Sequence, residues 1–265
     1  MGPIDFDALA ARFRDDGVDA IALMGSHARG DAGPYSDVDL VRLRIADSPA
    51  REPATHLFNG VFVVVSDVTP ADAEAWFSDP DKASSCIAGV RRAQPLWDPR
   101  GAFAALQRRA DAFVWDESMQ AKANVWAGEQ MVGWIEEVQK GLEGLRRNDE
   151  GRMLNARYGL SWGLTNVMRV QRGVLITGDN GTYPEVAAAI GRDSQWVRLS
   201  RETFGIAGGL SLRDQVVSGL RLYLLTAELI GQALAPHHRA LIEEAVARIR
   251  KELASAAGET APRDD

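Results

Sequence analysis

Gly25-Ser26-His27-Ala28-Arg29-Gly30-Asp31-Ala32-Gly33-Pro34-Tyr35-Ser36-Asp37-Val38-Asp39 is the stretch on which the fold turns. Just ahead of it, Val18-Asp-Ala-Ile-Ala-Leu-Met24 is rich enough in apolar residues to be a buried strand, and it stops at the glycine. A strand running into Gly-Ser and then a short helix leaves backbone N–H groups unpaired at the turn. Glycine allows both the tight bend and the close approach of a phosphate, and the helix start adds partial positive charge. The Ser26 hydroxyl is one more donor, and Arg29, a turn further on, can pair with a phosphate oxygen. Taken alone, Gly-Ser is a weak signal and reads as a plain helix start with Ser26 as N-cap.

The residues that follow change the weight of that motif. Val38 to Val41 forms a second strand, extending toward Leu43. Residues two apart on a strand share a face, so Asp37 and Asp39 project side by side while Val38 and Leu40 turn to the core. Two adjacent carboxylates repel each other unless a cation sits between them. Hard oxygen ligands beside a phosphate turn suit Mg²⁺, which binds through one or two carboxylates plus substrate phosphates.

Outward from this centre, Ile4 to Asp16 reads as an amphipathic helix ended by Gly17. His56 to Phe58 and Val61 to Val65 flank Asn59-Gly60, which is a hairpin signal. Pro70 to Phe77, Lys82 to Arg92 and Ala102 to Phe113 read as helices, with a turn at Trp97–Gly101. From Trp115 onward the pattern predicts long helices over 117–147, 151–173, 183–191, 211–233 and 237–256, interrupted at Gly173–Gly181. The fold class expected is α+β, a small mixed β-sheet domain over 1–115 followed by an α-helical bundle over 116–256. Residues 257–265 are expected to form a frayed tail.

Composition bounds the function. The chain has 265 residues, 46% hydrophobic and 25% charged, which are ordinary globular proportions. A net charge of −7 argues against nucleic acid as the main partner. No run is long and apolar enough to span a membrane, and the first twenty residues resemble neither a secretory nor a transit leader. A cytoplasmic location is expected. The single cysteine, Cys86, reads as a buried filler. Most of the tryptophans, Trp115, Trp126, Trp134, Trp162 and Trp196, read as packing, and the four histidines lack metal-ligand spacing.

The quoted stretch resembles the signature of the DNA polymerase β-like nucleotidyltransferase superfamily. Gly33-Pro34-Tyr35-Ser36-Asp37 is similar to the kanamycin nucleotidyltransferase branch of aminoglycoside-modifying enzymes. The resemblance implies Mg²⁺-dependent transfer of a nucleoside monophosphate, AMP from ATP, to a hydroxyl of a small molecule, with pyrophosphate leaving. It implies an aminoglycoside-like acceptor, antibiotic resistance as the outcome, and a homodimer. In those terms Asp37 and Asp39 are catalytic metal ligands, while Gly25, Ser26, Arg29 and Ser36 bind the nucleotide. Glu136 and Lys140, four apart on one helix face, are similar in spacing to the general base and phosphate-binding lysine of that branch. The simpler reading of the two is an ordinary i,i+4 pair on a solvated face.

One position departs from the pattern. The superfamily supplies a third carboxylate from a neighbouring strand, and here the matching stretch is Val63-Val64-Val65-Ser66, with Val64 at the acid's place. Asp67 lies three residues on, where strand alternation turns it to the opposite face, as a strand-end or turn residue. The departure keeps a second reading open: a nucleotide-binding sensor or regulatory protein whose chemistry is reduced or lost.

Overall fold

In the computed structural model, which describes residues 4–258, the chain forms two compact units. The first comprises residues 4–116 together with Leu175–Asp179; the second comprises Glu117–Val174 and the residues from Asn180 onward. The expected α+β class holds, with a five-stranded mixed sheet in the first unit and helices in the second. The tail expected beyond 257 lies almost wholly outside the described residues.

The sheet runs β3-β4-β2-β1-β5, with β1 Val18–Leu23, β2 Val38–Arg44, β3 Ala54–Phe58, β4 Val61–Val68 and β5 Gln94–Trp97. Strand β2 pairs with β4 in parallel, and the other neighbours are antiparallel. The Asn59-Gly60 hairpin forms as its sequence demands, with positive φ at both residues (49° and 82°). Helix α1 (Phe6–Arg12) covers one sheet face, where Leu9 and Ala10 join Ile21, Leu23, Val38, Leu40, Val63 and Val65 in the core. This helix starts later than its periodicity suggested, because the Asp5 carboxylate accepts a hydrogen bond from the Ala8 N–H and caps it there. After α2 (Gly25–Arg29) come α3 (Pro70–Ser78), α4 (Pro80–Arg92) and α5 (Ala102–Ala112).

Gln94 to Trp97 is an edge strand that takes in Trp97, expected to start the turn; its Pro95 is tolerated because only one side of the strand has a partner. Asp67 is a strand-end residue, as expected. It lies within β4 with its side chain 1% exposed, between the guanidinium groups of Arg42 and Arg44. Cys86 is half-buried, not a core filler.

The second unit is built around α8 (Glu150–Gln171), most of whose length is buried. Helices α6 (Glu117–Gly133), α7 (Ile135–Arg147), α10 (Gln195–Phe204) and α11 (Leu212–Ile230) pack on it. Helices α9 (Thr182–Ile190) and α12 (Pro236–Gly258) complete the unit. The expected single helix over 117–147 is two helices, which meet at Trp134. The Trp134 indole fills the space above Gly163 of α8, where a Cβ would come within 2.2 Å of the ring. Helix α10 was not anticipated. Its Trp196 is 1% exposed and donates its indole N–H to the Thr226 hydroxyl at 2.9 Å.

Candidate active site

Strand β1 ends where the Met24 N–H donates to the Asp39 carbonyl at 2.8 Å. That bond holds the next residue, Gly25, beside the start of β2. Gly25 has φ +63°, and a Cβ built on it would fall 2.0 Å from the Asp39 carboxylate oxygen Oδ2. The backbone at the head of α2 therefore lies directly on a carboxylate, an approach only glycine permits. Met24 holds the cap position of α2 without a side-chain cap bond, so Ser26 is the second helical residue and not the N-cap. Its hydroxyl is free of the capping role that the alternative reading gave it.

Asp37 is exposed just before β2, and Asp39 is half-buried within it. Burial pushes the Asp39 carboxyl above the usual carboxylate range, and the charges of Asp37 and Asp179 push the same way, opposed by His27 and Arg29. His27, in the same turn, has a buried Nε2 with no hydrogen-bond partner and sets its ring against Phe6.

Of the expected nucleotide-binding residues, two are committed to the protein itself. The Ser36 hydroxyl accepts from the Gly33 N–H at 2.9 Å and shapes the loop before Asp37. Arg29 pairs with Asp31 at 3.2 Å, and its Nη1 donates to the Thr177 carbonyl at 3.1 Å.

Val64 stands beside Asp39 in the parallel β2–β4 register, so the neighbouring strand supplies an isopropyl group where an acid was expected. Asp67 pairs in register with Arg42, on the face covered by α1. Alternation placed it there. Among the described residues no three His, Cys, Asp or Glu side chains are arranged to hold a metal ion. A pair of carboxylates beside a glycine cradle still fits Mg²⁺, whose remaining ligands are water and substrate oxygens.

In the helical unit Lys140 bridges Glu136 at 2.8 Å and Glu137 at 2.7 Å. Glu136 is 73% exposed, and its carboxyl is held below its ordinary range by the Lys140 hydrogen bond and charge. Glu137 is 15% exposed and keeps one buried oxygen without a partner. Sequence reasoning passed over Glu137 and Asp179. The orphaned oxygen depends on the packing of α7 against α8, and Asp179 lies in what reads as a plain break between helices.

Residues 7–43 match the nucleotidyltransferase domain family. The match takes in nearly all of α1, then β1, the Gly25 turn, Asp37 and Asp39, the parts that build the geometry above. No curated protein is matched by the sequence. Among solved structures, a nucleotidyltransferase-like protein from Exiguobacterium sibiricum is similar at 13% identity and a TM-score of 0.46, covering 98% of this chain and 78% of that one.

Proposed function

We propose that this chain is a Mg²⁺-dependent nucleotidyltransferase that moves a nucleoside monophosphate, AMP from ATP, onto a hydroxyl of a small molecule. The observation that carries the reading is the seating of Gly25 on the Asp39 carboxylate. It sets the glycine turn against one acid of the Asp37–Asp39 pair within a segment that matches a nucleotidyltransferase domain. Gly25 and Ser26 receive the triphosphate, and Asp37 and Asp39 hold the ion. When bound, the ion neutralises charge on the phosphates. The acceptor oxygen forms its bond to the α-phosphorus as the bond to pyrophosphate breaks, and the acceptor proton passes to a carboxylate base. Glu136 takes that role: with Lys140 holding its carboxyl low, it is ionised throughout the neutral range. Lys140 is the phosphate-side cation. The resemblance of Gly33–Asp37 to the kanamycin-type branch extends the proposal to an aminoglycoside-like acceptor, resistance and a homodimer.

Pyrophosphate release with ATP, Mg²⁺ and a panel of aminoglycosides and related sugars tests the activity. Glu136→Gln should lower kcat by roughly 10²–10⁴-fold with nucleotide binding unchanged. Full activity in Glu136→Gln, with the loss appearing in Glu137→Gln, hands the role to its neighbour.

A second reading is favoured by Val64 beside Asp39: a nucleotide sensor with reduced chemistry. The same assay separates them, since a sensor is stabilised thermally by nucleotide and releases no pyrophosphate.

A further inference from the structure

Strand alternation gives the sheet of the first unit two unlike faces. Val38 and Leu40 of β2 and Val61, Val63 and Val65 of β4 lie in the core that α1 covers. Asp39 of β2 and Phe62 and Val64 of β4 therefore stand on the opposite face. On β3 the same alternation turns His56 toward Phe13, with ring centroids 4.9 Å apart, and leaves Thr55 and Leu57 on the Asp39 face. The register orders these side chains. Asp39, Val64 and Thr55 form one row across β2, β4 and β3, and Phe62 and Leu57 pair in the next row. That second row is open, with Phe62 63% exposed and Leu57 67%. Contiguous apolar surface of this kind, unlike a scattered residue, marks a binding face.

We propose that this strip is the acceptor subsite, and that the acceptor is a hydroxyl compound carrying a flat apolar or aromatic group beside its reacting hydroxyl. The inference rests on the proposed function and narrows its acceptor. Sheet order gives the placement. Strand β2 has β1, which runs into the Gly25-Ser26 turn, on one side and β4 on the other. The turn meets the Asp39 carboxylate from the β1 side, at Gly25. In-line displacement at phosphorus sets the attacking and leaving oxygens on opposite sides of the reacting atom. With pyrophosphate leaving over the glycine turn, the acceptor oxygen enters from the β4 side, over Val64 and beside Phe62. The isopropyl group of Val64 then extends the apolar floor as far as Asp39. Thr55, Leu57, Phe62 and Val64 carry no charge, so the strip selects for apolar surface and not for amines. A ring laid on Phe62 gains both burial and stacking.

The test measures pyrophosphate release from ATP and Mg²⁺ with methyl and phenyl β-glucosides as matched acceptors, beside the aminoglycoside panel. The parent should use the phenyl glucoside with kcat/KM roughly tenfold or more above the methyl one, as expected for a ring taken out of water. Phe62→Thr and Leu57→Thr keep strand propensity at exposed positions and should melt with the parent. Both should shrink the preference to within about threefold through the acceptor KM, with the KM for ATP unmoved. Phe62→Trp should retain it. Release without a phenyl preference, a preference that survives both threonine variants, or one lost in Phe62→Trp overturns the subsite and leaves nucleotidyl transfer standing. A parental dimer that Phe62→Thr splits in sedimentation also overturns it, giving the strip to a second copy. No release with any acceptor overturns the transfer reading and the subsite together.

Discussion

Asp39→Asn should reduce nucleotidyl transfer by roughly 10³-fold or more, since several kcal/mol of charge stabilisation depend on the bound ion and about 1.4 kcal/mol is a factor of ten. The amide keeps the shape of the side chain but loses one charged ligand oxygen. It also removes a half-buried charge that Asp37 and Asp179 repel. The same variant should therefore melt no lower than the parent in metal-free buffer, which separates lost chemistry from lost fold. Gly25→Ala reaches the same end by another route. Its methyl group would fall 2.0 Å from Oδ2, and a φ of +63° strains any residue with a Cβ by about 1–2 kcal/mol. Initial rates of pyrophosphate release, read beside melting curves for both variants, decide the matter. Turnover at the parental rate in Asp39→Asn would remove the ion from the mechanism.

The legible and illegible parts of this molecule divide by the range of the interactions that form them. The β1–turn–β2 core of the site could be read because it lies within a single run of 22 residues, from Val18 to Asp39, whose pattern is local. The hairpin was legible for the same reason, since Asn59-Gly60 accepts few conformations other than the one it adopts. Strand β5 was hidden by Pro95, which suits an edge but reads as a turn signal. The division at Trp134 depends on a glycine of another helix, so no periodicity within 117–147 could announce it. Arg29 is the clearest case in the site. A motif assigns it to phosphate, whereas its observed partners are Asp31 and the carbonyl of a residue 148 positions away.

Asp67 offers the second large effect, and it bears on stability alone. Its carboxylate accepts from Arg42 Nε at 2.6 Å and from the Arg51 backbone N–H at 3.0 Å, while Arg44 lies 3.6 Å from its other oxygen. The Arg42 and Arg44 side chains are only 6% and 4% exposed, so two guanidinium groups rely on this acid and on Asp15 for neutralisation. Asp67→Ala removes a shared partner and leaves buried charge behind, which is expected to cost about 3–5 kcal/mol. That corresponds to a fall in melting temperature on the order of 10 °C, checked by calorimetry. Asp15 extends the argument to pH. Burial raises its carboxyl, but the Gly17 N–H and the Arg44 guanidinium outweigh burial and hold it below its ordinary value. A folded carboxyl held low contributes stability that is present above its unfolded pKa and lost as pH falls through the folded one. The first unit should accordingly weaken on acidification below about pH 4, and Asp15→Asn should flatten that limb of the stability profile. An Asp67→Ala chain as stable as the parent would mean that water, rather than this acid, neutralises the two arginines.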